Sequence, residues 1–314
     1  MRILDSKIAC VIALISAVIA GCSGSQALPG TVAIFPTGSG WILPSVKTSS
    51  LLYISDYSPS EVYIFPEQGS HQKMIGKITS NLNAPEGLYV ASNGDLYVAN
   101  SGDFPGTIAV FKKGELKPYK MLTLPSSVFA SIASVAMDSH GNVYATEQST
   151  QLICEIGAGH GTCTHTLSDP YDFYLSSIAI NSKNDLFVMG NSRTLDELPS
   201  GSTKWIKLPP RYSTDGGLTF DSHDNLLLDD AGNGSTATIS EYAPPYKKAP
   251  VFSFNYYGQM GQIVLDSTGT NVWGPNYPYS DGREYSVPKG KVLNKTGGVL
   301  REPVGVAVDP AAKR

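Results

Sequence analysis

The chain has 314 residues, and its 23 Lys and Arg against 27 Asp and Glu give a formal charge of −4. A mildly acidic chain without long basic runs has no broad electrostatic attraction to nucleic acid, so we expect no nucleic-acid partner. Gly, Pro and Tyr are frequent, at 31, 21 and 17 residues, and no long stretch shows helical periodicity. This composition predicts an all-β protein.

The chain begins with the features of an export signal. A short basic start ending at Lys7 is followed by the uncharged, apolar-rich run Ile8 to Ala20, which is shorter than the about 20 residues that a membrane-spanning helix needs. The run fits the apolar region of a signal peptide. It ends in Ile19-Ala20-Gly21-Cys22, which resembles a bacterial lipobox. The alternative is an ordinary secretory signal with a chance cysteine.

The lipobox predicts that residues 1–21 are a cleaved signal peptide and that Cys22 carries lipid. We therefore expect the mature chain to be anchored to the bacterial cell envelope, in the periplasm or on the cell surface. It then holds 21 basic and 26 acidic residues, a formal charge of −5. Residues 22–50 are predicted to be the tether. Ser23–Gly30 has a flexible composition, whereas Val32–Phe35 and Trp41–Leu43 could pack on the domain that follows.

A repeat occupies most of the remaining chain. Each copy consists of an apolar run, a turn with residues that tolerate positive φ, and a second apolar run. The copies start 47, 43, 40 and 45 residues apart, at Gly87–Asn100, Ser134–Glu147, Ser177–Gly190, Gly217–Asp230 and Gln262–Pro275. Third strands are predicted at Thr107–Phe111, Gln151–Ile156, Thr203–Leu208, Ala237–Tyr242 and Arg283–Val287, each followed by a weaker fourth. Four strands per 40–45 residues are typical of a propeller blade.

The two ends of this region complement each other. Leu51–Asp56 matches the second strand of the repeat without a first strand before it, and Gly305–Asp309 matches a first strand with nothing after it. A C-terminal strand that completes the first blade would remove the exposed sheet edge. The sequence therefore predicts an all-β, six-bladed β-propeller over residues 51–314, with four-stranded blades and the first blade closed by the C-terminal strand.

The cysteines agree with an exported chain. Cys10 lies in the signal peptide and Cys22 is the lipid acceptor, which leaves Cys154 and Cys163 as one even pair. Because the outside of the cell is oxidising, we predict a disulfide that clips two neighbouring strands. It should contribute no more than about 2–3 kcal/mol. Two free thiols are the alternative.

Three segments carry a family resemblance: Pro85–Leu88, Asp138–Tyr144 and Pro303–Asp309. With the repeat, which covers residues 51–309, they resemble NHL-repeat and related six-bladed propellers. The resemblance implies the fold and leaves the function open, because propellers host many activities.

Gluconolactonase-like propellers hold a metal with carboxylates and amides just before the first strand of several blades. The corresponding positions here are Glu86, Ala133, Ser176, Gly216, Gly261 and Val304. A divalent cation needs several oxygen ligands at once, and only Glu86 provides a strong one. We therefore predict no metal ligands and no cofactor, with Ca²⁺ as an unsupported alternative, and include Glu86 in a candidate channel mouth.

A second candidate ring consists of polar residues that end second strands: Asp56, Asn100, Glu147 and Asp230. One hypothesis is that they face the channel mouth together and hold a cation or a polyhydroxylated ligand. The other is that each caps its own loop, as Asp and Asn readily do. His140 and His223 lie in turns on the opposite face, and no hydrolase or phosphate-loop motif occurs. We predict no catalytic residue.

Two long loops offer further contacts, Asn191–Ser202 in the fourth blade and the tyrosine-containing Asn276–Gly282 in the sixth. The sequence favours a monomeric, membrane-tethered propeller that binds or scaffolds a protein, peptide or glycan of the cell envelope. The alternative function is a metal-dependent, lactonase-like hydrolase or lyase with its site in the central channel mouth. A purely structural envelope component is a third possibility.

Overall fold

A computed structural model describes residues 39–69, 72–125, 131–213, 215–232 and 236–310. The predicted signal peptide and the lipid-acceptor Cys22 lie outside these ranges. Regular structure is almost entirely antiparallel β-sheet, with two short 3₁₀ helices at Pro44–Lys47 and Tyr277–Tyr279. Within the described ranges, no helix has the length and apolar character needed to cross a membrane.

The strands form six sheets, of which five are built from four consecutive strands and the first has five strands. The first contains β1 (Trp41–Ile42), β2 (Leu51–Asp56), β3 (Glu61–Pro66) and β4 (Gly76–Ile78). The second contains β5 (Pro85–Val90), β6 (Leu96–Asn100), β7 (Thr107–Phe111) and β8 (Lys120–Thr123). The third contains β9 (Ile132–Met137), β10 (Val143–Glu147), β11 (Leu152–Ile156) and β12 (His165–Ser168).

The second half of the chain continues this pattern. The fourth sheet contains β13 (Leu175–Ile180), β14 (Leu186–Gly190), β15 (Thr194–Leu198) and β16 (Ile206–Arg211). The fifth contains β17 (Asp215–Phe220), β18 (Leu226–Asp230), β19 (Thr236–Tyr242) and β20 (Phe252–Tyr257). The sixth contains β21 (Val264–Leu265), β22 (Asn271–Asn276), β23 (Asp281–Ser286) and β24 (Val292–Lys295). The last strand is β25 (Pro303–Asp309).

The last strand closes the ring. β25 pairs antiparallel with β2, in a register that sets Leu51 opposite Asp309 and Ile54 opposite Val306. The first sheet therefore has the order β1-β4-β3-β2-β25. The innermost strands β25, β5, β9, β13, β17 and β21 contact one another in a closed circle. The predicted fold class is confirmed, including the completion of the first blade from the C-terminus.

The core consists of six apolar layers, one between each pair of neighbouring blades. Because successive side chains of a strand point to opposite faces, one strand supplies two layers. Leu51 and Tyr53 pack against the second blade, whereas Leu52 and Ile54 pack against the sixth. This double burial explains why the inner strands are continuous apolar runs rather than alternating ones.

The fourth blade corrects two predictions. The segment Thr203–Leu208, predicted as its third strand, overlaps the fourth strand β16, and the third strand β15 lies inside the predicted loop Asn191–Ser202. The charged residues of β15 give its sequence the character of a loop, although the segment is a strand in which Asp196 is fully buried. Two prolines are tolerated in β16 because it is the outermost strand of the blade.

Two further predictions concern local structure. Cys154 and Cys163 form a disulfide with an S–S distance of 2.03 Å, which joins β11 to the turn before β12, as predicted. Two residues of the predicted tether, Trp41 and Ile42, form β1 and pair with β4 as a fifth strand at the outer edge of the first blade.

Candidate functional site

The pairing of the first strands is irregular at the end of the channel where these strands begin. We call the end of the ring where the first strands begin and the second strands end the mouth. In five blades the pairing between the first and second strands changes register near this end. Such bulges redirect side chains and commonly lie beside binding sites. The six positions predicted before the first strands all line one cavity of about 140 Å³, together with Gln148 and Gln262.

Glu86 is the one acidic side chain among the described residues that line this mouth cavity, and it is 8% exposed. The amide of Gln148 donates to its Oε2 atom, and Ser101 also donates a hydrogen bond to the carboxylate. Burial raises the pKa of Glu86 to about 7, and these two hydrogen bonds only partly oppose the rise. The group can therefore exchange a proton near neutral pH.

The polar groups around Glu86 form a short network. Ser131 Oγ donates to Gln148 Oε1 at 3.0 Å and lies 2.6 Å from Ser101 Oγ. The second and third blades thus hold Gln148 in place beside the carboxyl of Glu86. A fixed set of acceptors and amide donors at a channel end suits the recognition of polar ligand groups.

Gln262 joins three blades across the channel. Its Oε1 atom accepts hydrogen bonds from the backbone N–H groups of Leu88 and Val306, both at 3.0 Å, and its Nε2 atom donates to the Leu88 carbonyl at 2.7 Å. Gln262 thus provides hydrogen-bond partners for backbone groups of the second and first blades. It lies next to the two-residue strand β21. Below it the channel narrows to an apolar cavity of about 60 Å³ lined by inner-strand residues such as Val135 and Leu218.

The second predicted ring lies behind the mouth cavity rather than in its lining. Each of its members hydrogen-bonds the loop that leads into the first strand of its own blade. Asp56 accepts from the backbone N–H groups of Arg301 and Glu302 at 2.8 and 2.6 Å. The same arrangement links Asn100 to Asn83, Glu147 to Ser131, and Asp230 to Ser213. These contacts are loop caps, and ligand binding by this ring stays a prediction.

The structure also identifies members of this ring that sequence comparison missed. In the sixth blade the equivalent residue is Asn276, whose Nδ2 atom donates to the Tyr257 carbonyl at 3.1 Å, rather than Pro275. In the fourth blade Gly190 has no side chain, and the carboxylate of Asp172 on the entering loop accepts from the Ser192 N–H instead. The copies of the repeat were matched by their turn residues, and neither Asn276 nor Asp172 occupies the position that this match predicts.

A groove opens beside the mouth cavity, between the sixth and first blades. It measures about 280 Å³ and is lined by Gln259, Gly261, Tyr277, Pro303 and Val304. Gly261 and Val304 line both the groove and the mouth cavity. The predicted tyrosine loop of the sixth blade therefore contributes one wall of a groove that opens next to the channel.

Exposed aromatic side chains are concentrated on the mouth face, the surface that surrounds this end of the channel. In the part of the chain that the structure describes, seven of the eight exposed aromatic side chains lie there: Tyr57, Phe104, Tyr171, Phe173, Tyr257, Tyr277 and Tyr279. Phe104 and Phe173 are each 74% exposed. The eighth, Tyr119, lies on the opposite face. Exposed aromatic groups clustered on one face are typical of interaction surfaces.

The remaining candidates lie elsewhere. His140 and His223 are exposed in turns of the opposite face, each with a ring nitrogen 3.8 Å from a neighbouring aspartate. Among the described residues there is no group of three or more His, Cys, Asp or Glu side chains placed to hold a metal ion.

Comparisons with known proteins agree with this architecture. No protein-family model and no curated protein sequence matches the chain. A functionally unknown protein from Desulfotomaculum acetoxidans DSM 771 is 12% identical, with 86% of this chain and 88% of that chain covered and a TM-score of 0.59. A chain of a nidogen/laminin complex is 14% identical, with 83% and 98% covered and a TM-score of 0.65.

A putative 6-phosphogluconolactonase from Bacteroides fragilis NCTC 9343 is 10% identical, with 84% of this chain and 99% of that chain covered and a TM-score of 0.60. At such identities the likeness shows the fold alone. The sheet order and these neighbours define the chain as a six-bladed β-propeller.

Proposed function

We propose that the chain is an exported, lipid-anchored binding or scaffold propeller whose mouth face binds a protein, peptide or glycan of the cell envelope. The concentration of exposed aromatic side chains on the mouth face carries this proposal. Aromatic groups supply large apolar contact area at low cost in conformational entropy. Loops on a rigid propeller are a common location for binding sites.

The binding proposal is tested by capture from the native envelope with the tethered protein as bait. Phe173→Ser removes an exposed aromatic group on the mouth face, and Val251→Ser, at 62% exposure on the opposite face, is the matched control. We expect Phe173→Ser to reduce capture of the specific partner at least five-fold and Val251→Ser to leave it unchanged. Equal capture by both variants and the parent protein would contradict binding through this face.

The lipid anchor is supported by the lipobox-like sequence before Cys22 and by the disulfide, which suits an oxidising compartment. Cys22→Ser should abolish incorporation of labelled palmitate and move the protein from the membrane to the soluble fraction. Cys10→Ser, in the apolar part of the signal, should change neither. A Cys22→Ser variant that keeps its label would overturn the anchor.

The second candidate is a metal-dependent, lactonase-like hydrolase or lyase. A structural neighbour is named as a putative 6-phosphogluconolactonase, and Glu86 places one carboxylate in the mouth cavity. Elemental analysis of the purified protein distinguishes the two functions. Stoichiometric Ca²⁺ or Zn²⁺ that is lost in Glu86→Gln favours the enzyme, whereas metal content independent of Glu86 favours binding alone.

A further inference from the structure

The groove and the mouth cavity form one continuous concave surface. Gly261 and Val304 line both, at the junction between them. Their volumes, about 280 and 140 Å³, together reach the lower end of the roughly 300–1,000 Å³ range of small-molecule pockets. The combined site suits one compact ring with short substituents rather than an extended chain.

The two parts of this site differ in chemistry. The groove is mainly apolar, with the ring of Tyr277 and the side chains of Pro303 and Val304 in its walls. The cavity presents the carboxyl of Glu86 and the amide of Gln148, both held by hydrogen bonds. A ligand that fits both parts needs an apolar face on one side and hydrogen-bonding groups at one edge.

The site offers no positive charge to pair with an anionic ligand. Among the described residues that line the groove and the cavity, none is Lys or Arg. The environment that acts on Glu86 consists of burial and two uncharged partners, Ser101 and Gln148. Transfer of a charged group into such a site is unfavourable when no opposite charge or metal accompanies it. An anionic ligand is therefore disfavoured, and a neutral ligand with hydroxyl groups matches the hydrogen-bonding groups of the cavity.

We propose that the groove and the mouth cavity bind a single neutral saccharide unit, with its apolar ring face on Tyr277 and its hydroxyl groups at Glu86 and Gln148. Sugar rings combine an apolar C–H face with hydroxyl groups around the edge, which matches both parts of the site. This inference rests on the proposed binding function and narrows its ligand class. A proline-rich peptide would fill the groove but make no use of the polar groups of the cavity.

The first test measures binding of the methyl glycosides of glucose, galactose, mannose and N-acetylglucosamine to the purified protein by saturation-transfer NMR and calorimetry. We expect saturable binding of at least one glycoside. Tyr277→Ser should weaken it at least ten-fold, while Tyr277→Phe, which keeps the ring, should stay within three-fold of the parent. Val251→Ser is the control with unchanged binding.

The second test narrows the junction between groove and cavity. A Cβ added to Gly261 would lie 3.0 Å from the Val304 carbonyl oxygen and 3.2 Å from Val304 Cγ1. Gly261→Ala should weaken glycoside binding at least three-fold while far-ultraviolet circular dichroism and melting temperature stay close to those of the parent. Unchanged affinity in a folded Gly261→Ala variant would exclude a ligand that spans both parts.

The outcomes separate this inference from the proposed function. If none of the four glycosides binds, the saccharide proposal is wrong, although loss of envelope capture in Phe173→Ser would still support binding through the mouth face. A polyproline decapeptide is measured alongside the glycosides. Binding of that peptide, abolished by Tyr277→Ser and without glycoside binding, would assign the groove to a peptide instead.

Discussion

Burial of the Glu86 carboxyl makes the folding stability of the protein depend on pH. Glu86 is 8% exposed, and its pKa is raised from 4.5 to about 7 mainly by burial. Between these two pH values the folded protein keeps a proton that the unfolded chain has released. Folding stability therefore falls as the pH rises through this window, and above it the loss is complete and no longer changes with pH.

Glu86→Gln removes this titration and keeps a side chain of similar shape. We expect the variant to match the parent near pH 5 and to exceed it at pH 8, by at most about 3 kcal/mol. Guanidinium unfolding at pH 5, 6, 7 and 8 gives the difference directly. A constant difference across this range would show that Glu86 does not take up a proton on folding.

Several other buried acids also lower stability as the pH rises, among them Asp169, Asp196 and Asp229. Burial raises the pKa of Asp169 to about 7 and that of Asp196 to about 6, and the charges of neighbouring aspartates add to the rise in both. The parent and Glu86→Gln share these groups. Only the difference between the two proteins therefore reports on Glu86.

At the residue scale, the structure places one of the five predicted mouth residues in the lining of the cavity, and ligand binding by all five stays a prediction. Counting from the repeat placed Glu86 at the channel mouth, where the structure has it. Its partner Gln148 lies in another blade, 62 residues away, and no local pattern connects the two. Asp172 replaces the side chain that Gly190 lacks because its loop approaches the end of β14. This approach is a matter of tertiary structure and leaves no local pattern in the sequence.

At the scale of the strand, the inner ring depends on glycines where neighbouring blades approach. A Cβ added to Gly305 in β25 would lie 2.0 Å from the carbonyl oxygen of Glu86, and one added to Gly217 in β17 would lie 2.4 Å from the Ile263 nitrogen. Any other residue there must move backbone, which is costly in a packed interior.

Gly305→Ala is therefore expected to lower the free energy of unfolding by about 2–3 kcal/mol. Gly298→Ala is the matched control, because a Cβ there has no neighbour within 4 Å, and its effect should stay within about 0.5 kcal/mol. Denaturant unfolding of the two variants under one condition tests the comparison. Similar stabilities would contradict the close approach of β25 to the second blade.

The disulfide of the third blade is a local clip. Cys154 and Cys163 are nine residues apart, so the bridge restricts only a short loop of the unfolded chain. Replacement of both by Ala should lower the free energy of unfolding by about 2–3 kcal/mol and leave the strand signal of circular dichroism unchanged. Collapse of the whole sheet signal in the double variant would assign the bridge a larger role than this loop length allows.

The fourth blade shows why element boundaries were harder to predict than element number. The sequence around Asp196 and Glu197 alternates poorly, yet β15 is a buried strand in which Thr194 Oγ1 donates to the Asp196 carboxylate at 3.1 Å. A strand that contains a buried acid, with its hydrogen-bond donor two residues away, resembles a loop in the sequence. The strands that consist mainly of apolar residues, such as β2 and β7, were predicted to the residue.

At the scale of the whole molecule, the repeat was sufficient to predict the ring, because each blade has two apolar faces and only closure buries all of them. The groove was beyond sequence analysis. Its walls come from the segment between β20 and β21, the loop after β22 and the start of β25, and these segments become neighbours only when the last strand returns to the first blade. The candidate saccharide site is thus a product of closure.

Closure itself can be tested by ending the chain before β25. Without residues 303–314, β2 loses one of its two antiparallel partners and presents an open edge next to the apolar layer that Leu52 and Val306 now share. We expect the shortened chain to lose its cooperative unfolding transition and to associate through the open edge, as seen by calorimetry and size-exclusion chromatography. A chain that lacks only residues 311–314 keeps β25 and should behave as the parent. If the shorter chain were instead monomeric with the melting temperature of the parent, the pairing of β25 with β2 could not be what holds the six blades together.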